Sequence, residues 1–117
     1  MTDQLDSLKS RLRQFADERD WDQFHSPKNL AMALIVEAAE LVEQFQWLTQ
    51  EESRSLPPEK HKEVEAELAD ILIYLVRIAD KLDIDLLRAA DAKLKHNAEK
   101  YPADKVRGLS KKYNEYP

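Results

Sequence analysis

The chain has 117 residues, 43% hydrophobic and 35% charged, a length and balance that suit one soluble domain with a core of its own. Its net charge of −5 argues against a general nucleic-acid-binding surface, and the absence of cysteine excludes disulfides and thiolate metal sites. A single glycine against five prolines favours long helices over hairpins, which need glycine-rich turns.

Four main helices are expected. The first covers about Asp3 to Arg19, where Leu5, Leu8, Leu12 and Phe15 recur at helical spacing. A loop from Asp20 to Ser26 follows, and Ser26-Pro27 supplies an N-cap with proline at the first helical position. The second helix then runs to about Leu48. Thr49 to Pro58 is a polar connection whose Thr-Gln-Glu-Glu sequence can cap a short extra turn. The third helix covers Glu59 to Lys81, and a fourth starts at Asp83 or Asp85 and ends at Tyr101-Pro102. The reading is therefore all-α, a four-helix bundle over residues 1–102 with an irregular tail over 103–117.

The charged N-terminus has no apolar stretch of the signal-peptide kind, and no apolar run reaches the ~18 residues of a membrane span. A cytoplasmic protein is the expectation, with neither a membrane nor a nucleic-acid polymer as partner.

The acids carry the chemistry. Leu30 to Val42 is apolar except for Glu37 and Glu40, and Leu68 to Val76 contains one ionisable group, Asp70, with Glu67 just before it. A helix that is apolar on nearly every side offers a carboxylate no wet face, so each acid needs a cation or a shifted pKa. An ion pair between Arg77 and Asp70 is the plain alternative, but it satisfies only one acid. Two pairs spaced i, i+3 point instead to one shared divalent metal. Carboxylate oxygens are hard ligands that suit Mg²⁺, with Mn²⁺ as a substitute. Glu43, Glu51, Glu52, Glu63 and Glu65 read as solvated surface.

Around these acids stand aromatic and basic residues. Trp21 in a loop and Trp47 near the end of the second helix are either core or platforms that stack on a planar base, and composition leaves both open. His25 shares the loop of Trp21 and is assigned to the base side; His61 and His96 read as surface. Lys28 and Asn29 open the second helix, where backbone N–H groups favour anions. Lys93, Asn97 and Lys100 share one side of the fourth helix, a solvated lysine face unless they, with Tyr74, hold phosphate and sugar. No glycine-rich phosphate loop or nucleophile elbow is present.

Three segments resemble the all-α nucleotide pyrophosphohydrolases, the MazG-like proteins, and in particular their dCTP pyrophosphatase branch. They are RDWDQFHSPKNL (19–30), EAAELVEQFQW (37–47) and ELADILIYL (67–75), with KLKHNAEKYP (93–102) matching the end of the last core helix. The family pattern ExxE…ExxD falls on Glu37/Glu40 and Glu67/Asp70. The resemblance implies hydrolysis of a nucleoside triphosphate between its α- and β-phosphates, as part of nucleotide-pool house-cleaning. It also implies Mg²⁺ on the four acids, Trp21 and Trp47 flanking the base, and Lys93, Asn97 and Tyr101 near the phosphates. It further implies assembly as a homodimer or homotetramer. One position departs: where the eukaryotic branch has a histidine near the base, this chain has Leu12, which leaves the preferred base open. The rival reading is a noncatalytic helical interaction module with its acids in ion pairs. A di-iron carboxylate bundle is set aside because no Glu-x-x-His motif exists.

Overall fold

A computed structural model describes residues 3–110, all of whose long elements are helices. Helix α1 spans Asp3–Glu18, α2 Pro27–Phe45, α4 Pro58–Lys81 and α5 Leu86–Lys100, with short turns α3 at Gln50–Ser53 and α6 at Ala103–Val106. A 3₁₀ turn at Asp22–Phe24 lies in the loop before α2. No strand occurs among the described residues, and no helix there is long and apolar enough to cross a membrane.

Local chemistry sets the helix ends. The Ser26 hydroxyl accepts from the Asn29 backbone N–H at 3.1 Å, ahead of Pro27 at the first helical position. Thr49 and Glu52 form a complete capping box at α3, and the Asp85 carboxylate accepts from the Arg88 N–H at 3.1 Å at α5. Helix α2 stops three residues before the expected Leu48, because Gln46 to Leu48 turn towards the α3 cap instead of extending the apolar stripe. Beyond α1 and α4, Asp20 and Asp83 both adopt φ of 55°, a left-handed conformation that ends a helix without glycine.

The chain divides into two compact units, Met1–Asp83 and Ile84–Pro117. The division falls earlier than the boundary expected at Pro102, and α5 has no buried side chain. The expected tail opens with the turn α6 rather than irregular chain, since Pro102 presets the backbone for it. Residues 111–117 of that tail lie outside the described residues.

In the first unit α4 is the central element, packed against α2 and, less extensively, α1. Fully buried apolar side chains gather at the end of α1, the start of α2 and the last turns of α4: Ala16, Leu30, Val76 and Ala79. Much of the remaining apolar surface faces outward. Met32, Ile35, Val36 and Val42 of α2 and Leu68, Leu72 and Leu75 of α4 are all exposed in the single chain.

Candidate metal centre

The stripe of α2 through Leu30, Ala33, Leu34, Glu37, Leu41 and Gln44 is shielded, whereas its opposite side is exposed. Helix α2 is thus wet on one side, contrary to the expectation of a helix with no wet face. Glu37 nevertheless lies on the shielded side. Glu67 and Asp70, one turn apart on α4, meet it there. One carboxylate oxygen from each of Glu37, Glu67 and Asp70 falls within a 4.8 Å group. Since the middle of α2 meets the middle of α4, and the segment before α2 meets the end of α4 (below), the two helices run antiparallel.

The electrostatics of this cluster are those of acids without a cation. Hydrogen-bond contact with Glu40 and then burial push Glu37 up to about 7, with Glu67 as a further neighbour. Burial, then the approach of Glu40, also raises Glu67. Glu40 is therefore part of the cluster through both neighbours. One oxygen of Glu37 and one of Glu67 are out of reach of solvent and accept no hydrogen bond. Orphaned carboxylate oxygens that converge from two helices form a donor set of the hard, anionic kind that a divalent cation fits.

The ion pair between Arg77 and Asp70 does not form. Arg77 is 4% exposed, and its Nη2 donates to Asp22 Oδ1 at 3.1 Å and lies 3.1 Å from His25 Nδ1. Its Nη1 is 3.7 Å from Asp80. Arg13 donates to Asp80 through Nε at 2.7 Å, and Lys81 donates to Asp22. Asp17 completes the lining of a polar cavity of about 340 Å³ with these residues. Asp22 and Asp80 are held below the usual carboxylate range by these cations, Lys81 first for Asp22 and Arg13 first for Asp80. Burial and then Arg77 push His25 below the ordinary histidine value. This network was not anticipated, although Arg77 inside an otherwise apolar run and the acids of RDWD were visible signals.

Trp21 is half exposed and meets Phe15 edge-on with centroids 5.8 Å apart; the Arg19 guanidinium lies 3.7 Å above the same Phe15 ring. Trp47 is 86% exposed, so it is not core within the chain. Asn29 is committed locally, its side-chain amide donating to the Phe24 carbonyl at 3.1 Å, while Lys28 is exposed. Tyr74 is half-buried one turn beyond Asp70. In the second unit Lys93 is exposed, and Asn97, Lys100 and Tyr101 are half-buried on α5 and its cap.

The MazG-like family pattern matches residues 32–116, a stretch that includes both acid pairs. The chain belongs to the MazG-like family. This MazG-like chain is 42% identical over 115 residues to dCTP pyrophosphatase 1 of Homo sapiens and 40% identical to that of Mus musculus. Each alignment covers 97% of the chain and 68% of the relative. A crystal structure of a pyrophosphatase from Archaeoglobus fulgidus superposes with a TM-score of 0.81 at 39% identity, covering 87% of this chain and 95% of that one.

Proposed function

We propose that this MazG-like protein is a nucleoside triphosphate pyrophosphohydrolase that cleaves a dCTP-like or modified pyrimidine dNTP to the monophosphate and pyrophosphate, clearing nucleotide pools. The observation that carries the reading is the convergence of Glu37, Glu67 and Asp70, with two orphaned oxygens and Glu40 alongside. Similarity to proteins named dCTP pyrophosphatase supports the substrate class.

Glu37, Glu40, Glu67 and Asp70 would hold Mg²⁺, with Mn²⁺ as a substitute. When bound, the cation supplies Lewis-acid neutralisation of phosphate charge. Glu40 is outside the tightest three-oxygen group, which leaves it to accept the proton of the water that attacks the α-phosphorus. Pyrophosphate departs with the electrons of the broken α–β bridge. Trp21 and Trp47 flank the base, with His25 beside Trp21. Lys28, Asn29 and Tyr74 are the phosphate- and sugar-side groups of the first unit. Lys93, Asn97, Lys100 and Tyr101 are assigned to the phosphates from sequence and family resemblance alone.

The exposed apolar residues of α2 and α4 support assembly with further copies, as a homodimer or homotetramer, since contiguous apolar surface on a soluble chain marks an interaction face.

The test is pyrophosphate release from a dNTP panel with Mg²⁺, run in ¹⁸O-water. Label in the monophosphate is the expected result; label in the pyrophosphate would move attack to the β-phosphorus. No turnover of any dNTP, by folded protein with Mg²⁺ or Mn²⁺, would leave the interaction-module reading.

A further inference from the structure

The loop between α1 and α2 has little to hold it in place by burial. None of Asp22–Phe24 is buried, and Trp21 and Phe24 are 46% and 60% exposed. Bonds to α1 and within the loop shape it: the Trp21 N–H donates to the Ala16 carbonyl of α1 at 2.9 Å, and the Gln23 amide donates to the Asp20 carboxylate at 2.9 Å. They do not tie it to the metal-bearing helix. The ties to α4 are polar and converge on two neighbouring turns, with Arg77 reaching both Asp22 and His25 and Lys81 reaching Asp22.

A guanidinium with 4% exposure is costly to keep, the more so because its Nε has no hydrogen-bond partner and only Nη2 reaches the loop, and a long apolar side chain would fill the same space. What an apolar side chain could not do is grip two points of a solvent-exposed turn in a fixed planar geometry. Arg77 stands two helical turns past Asp70 on the same helix, so the tie sets the loop relative to the acids themselves.

We propose that Arg77 is a positioning residue for base recognition, whose buried guanidinium holds the Asp22–His25 turn, and with it Trp21, in register with the helix that carries Glu67 and Asp70. The inference rests on the reading of Trp21 as a base-stacking side chain. Arg77 touches no reacting atom in this scheme. Its removal therefore weakens substrate capture and leaves the chemical step alone.

Steady-state kinetics with dCTP and Mg²⁺ separate these effects. Arg77→Met, which keeps bulk and loses every donor, should raise KM about tenfold, within the range an aromatic stack contributes. Its kcat and its Mg²⁺ dependence should stay near wild type. Arg77→Lys should recover part of the loss, and Asp22→Asn, at an exposed position, should raise KM in the same direction by about threefold, the equivalent of one weakened hydrogen bond. The double variant Trp21→Ala/Arg77→Met should raise KM by less than the product of the two single effects, because without Trp21 only the His25 end of the turn is left to position. If Arg77→Met does not fold, Arg77→Lys and Asp22→Asn decide by the same readout. Unchanged KM in the folded variants, or losses that multiply in the double variant, would overturn the positioning role with Trp21 stacking intact. If Trp21→Ala itself leaves KM unchanged, the stacking reading falls first and takes this inference with it.

Discussion

Glu67 and Asp80 stand on the same helix and both are shielded acids, yet their protonation is pushed in opposite directions. At the C-terminal end of α4, Asp80 meets Arg13 and Arg77, and Asp22 meets Lys81 and Arg77, so these carboxylates are held ionised. More than three turns towards the N-terminus, Glu67 meets Glu37 and Glu40 of α2 and Asp70 of its own helix, and the ionised forms of Glu67 and Glu37 are disfavoured. A chain that can surround buried acids with arginine and lysine does so in one place and not in the other. The difference assigns a job to each. The paired site neutralises its acids within the chain and ties the loop before α2 to α4. On the proposed reading, the unpaired site has a charge deficit that a divalent cation would fill.

Removing one acid from the unpaired site gives the largest expected effect. Asp70→Asn should lower kcat/KM by about 10²–10³-fold, the scale of losing one group of a preorganised electrostatic site. Asp80→Asn should act on folding instead, costing about 1–3 kcal/mol for a broken shielded ion pair while leaving kcat near wild type. Comparable activity losses in both variants would erase the distinction.

Thermal melts sharpen it further. Millimolar Mg²⁺ should raise the melting temperature of the wild type by several degrees, through preferential binding to the folded state. Asp70→Asn should lose that response, and Asp80→Asn should keep it from a lower baseline. A melting curve indifferent to Mg²⁺, in active protein, would count against the site.

The smallest effect is a difference of sign with pH. Glu37 has its pKa raised from 4.5 to about 7, so in metal-free protein its ionisation destabilises the fold as pH rises through that window. Lowering the pH from about 7 towards 4.5 should therefore raise the metal-free melting temperature, with His25, held below 6.5, opposing part of the gain, and saturating Mg²⁺ should remove the Glu37 contribution. Asp22 and Asp80 are depressed below 3.8, so their contribution is full above that value and is lost as pH falls through their folded-state pKa values. Melting followed from pH 8 to pH 2 should show a gain and then a loss. A monotonic decline on acidification of the metal-free protein would contradict the first half.

The elements were legible in the sequence because local chemistry fixed them: Ser26-Pro27, the Thr49–Glu52 box and Asp85 each cap a helix where their residue types say they should. The acid cluster was legible because carboxylates interrupt apolar runs at helical spacing. The division of each helix surface was not, since a run such as LAMALIV does not declare which side another helix covers. Met32, Ile35 and Val36 are exposed while Leu30 is buried, a matter of packing rather than of hydrophobicity. The sequence offers Arg77 to Asp70, two turns back on its own helix, as the plain alternative to a metal. Its hydrogen-bond partners, Asp22 and His25, lie across the fold, where sequence spacing carries no information, while Asp80 stands one turn on along α4.

The left-handed Asp20 and Asp83 bear on the unfolded chain as much as on the folded one. Each costs about 1–2 kcal/mol of backbone strain relative to a right-handed residue, a cost that glycine would remove. Glycine would also give the denatured chain extra freedom, worth about 0.4–1 kcal/mol at each position. Aspartate keeps that freedom low and tolerates the conformation better than most side chains do. A protein with one glycine in 117 residues thus ends two of its helices with part of the strain recovered as a less disordered starting point for folding.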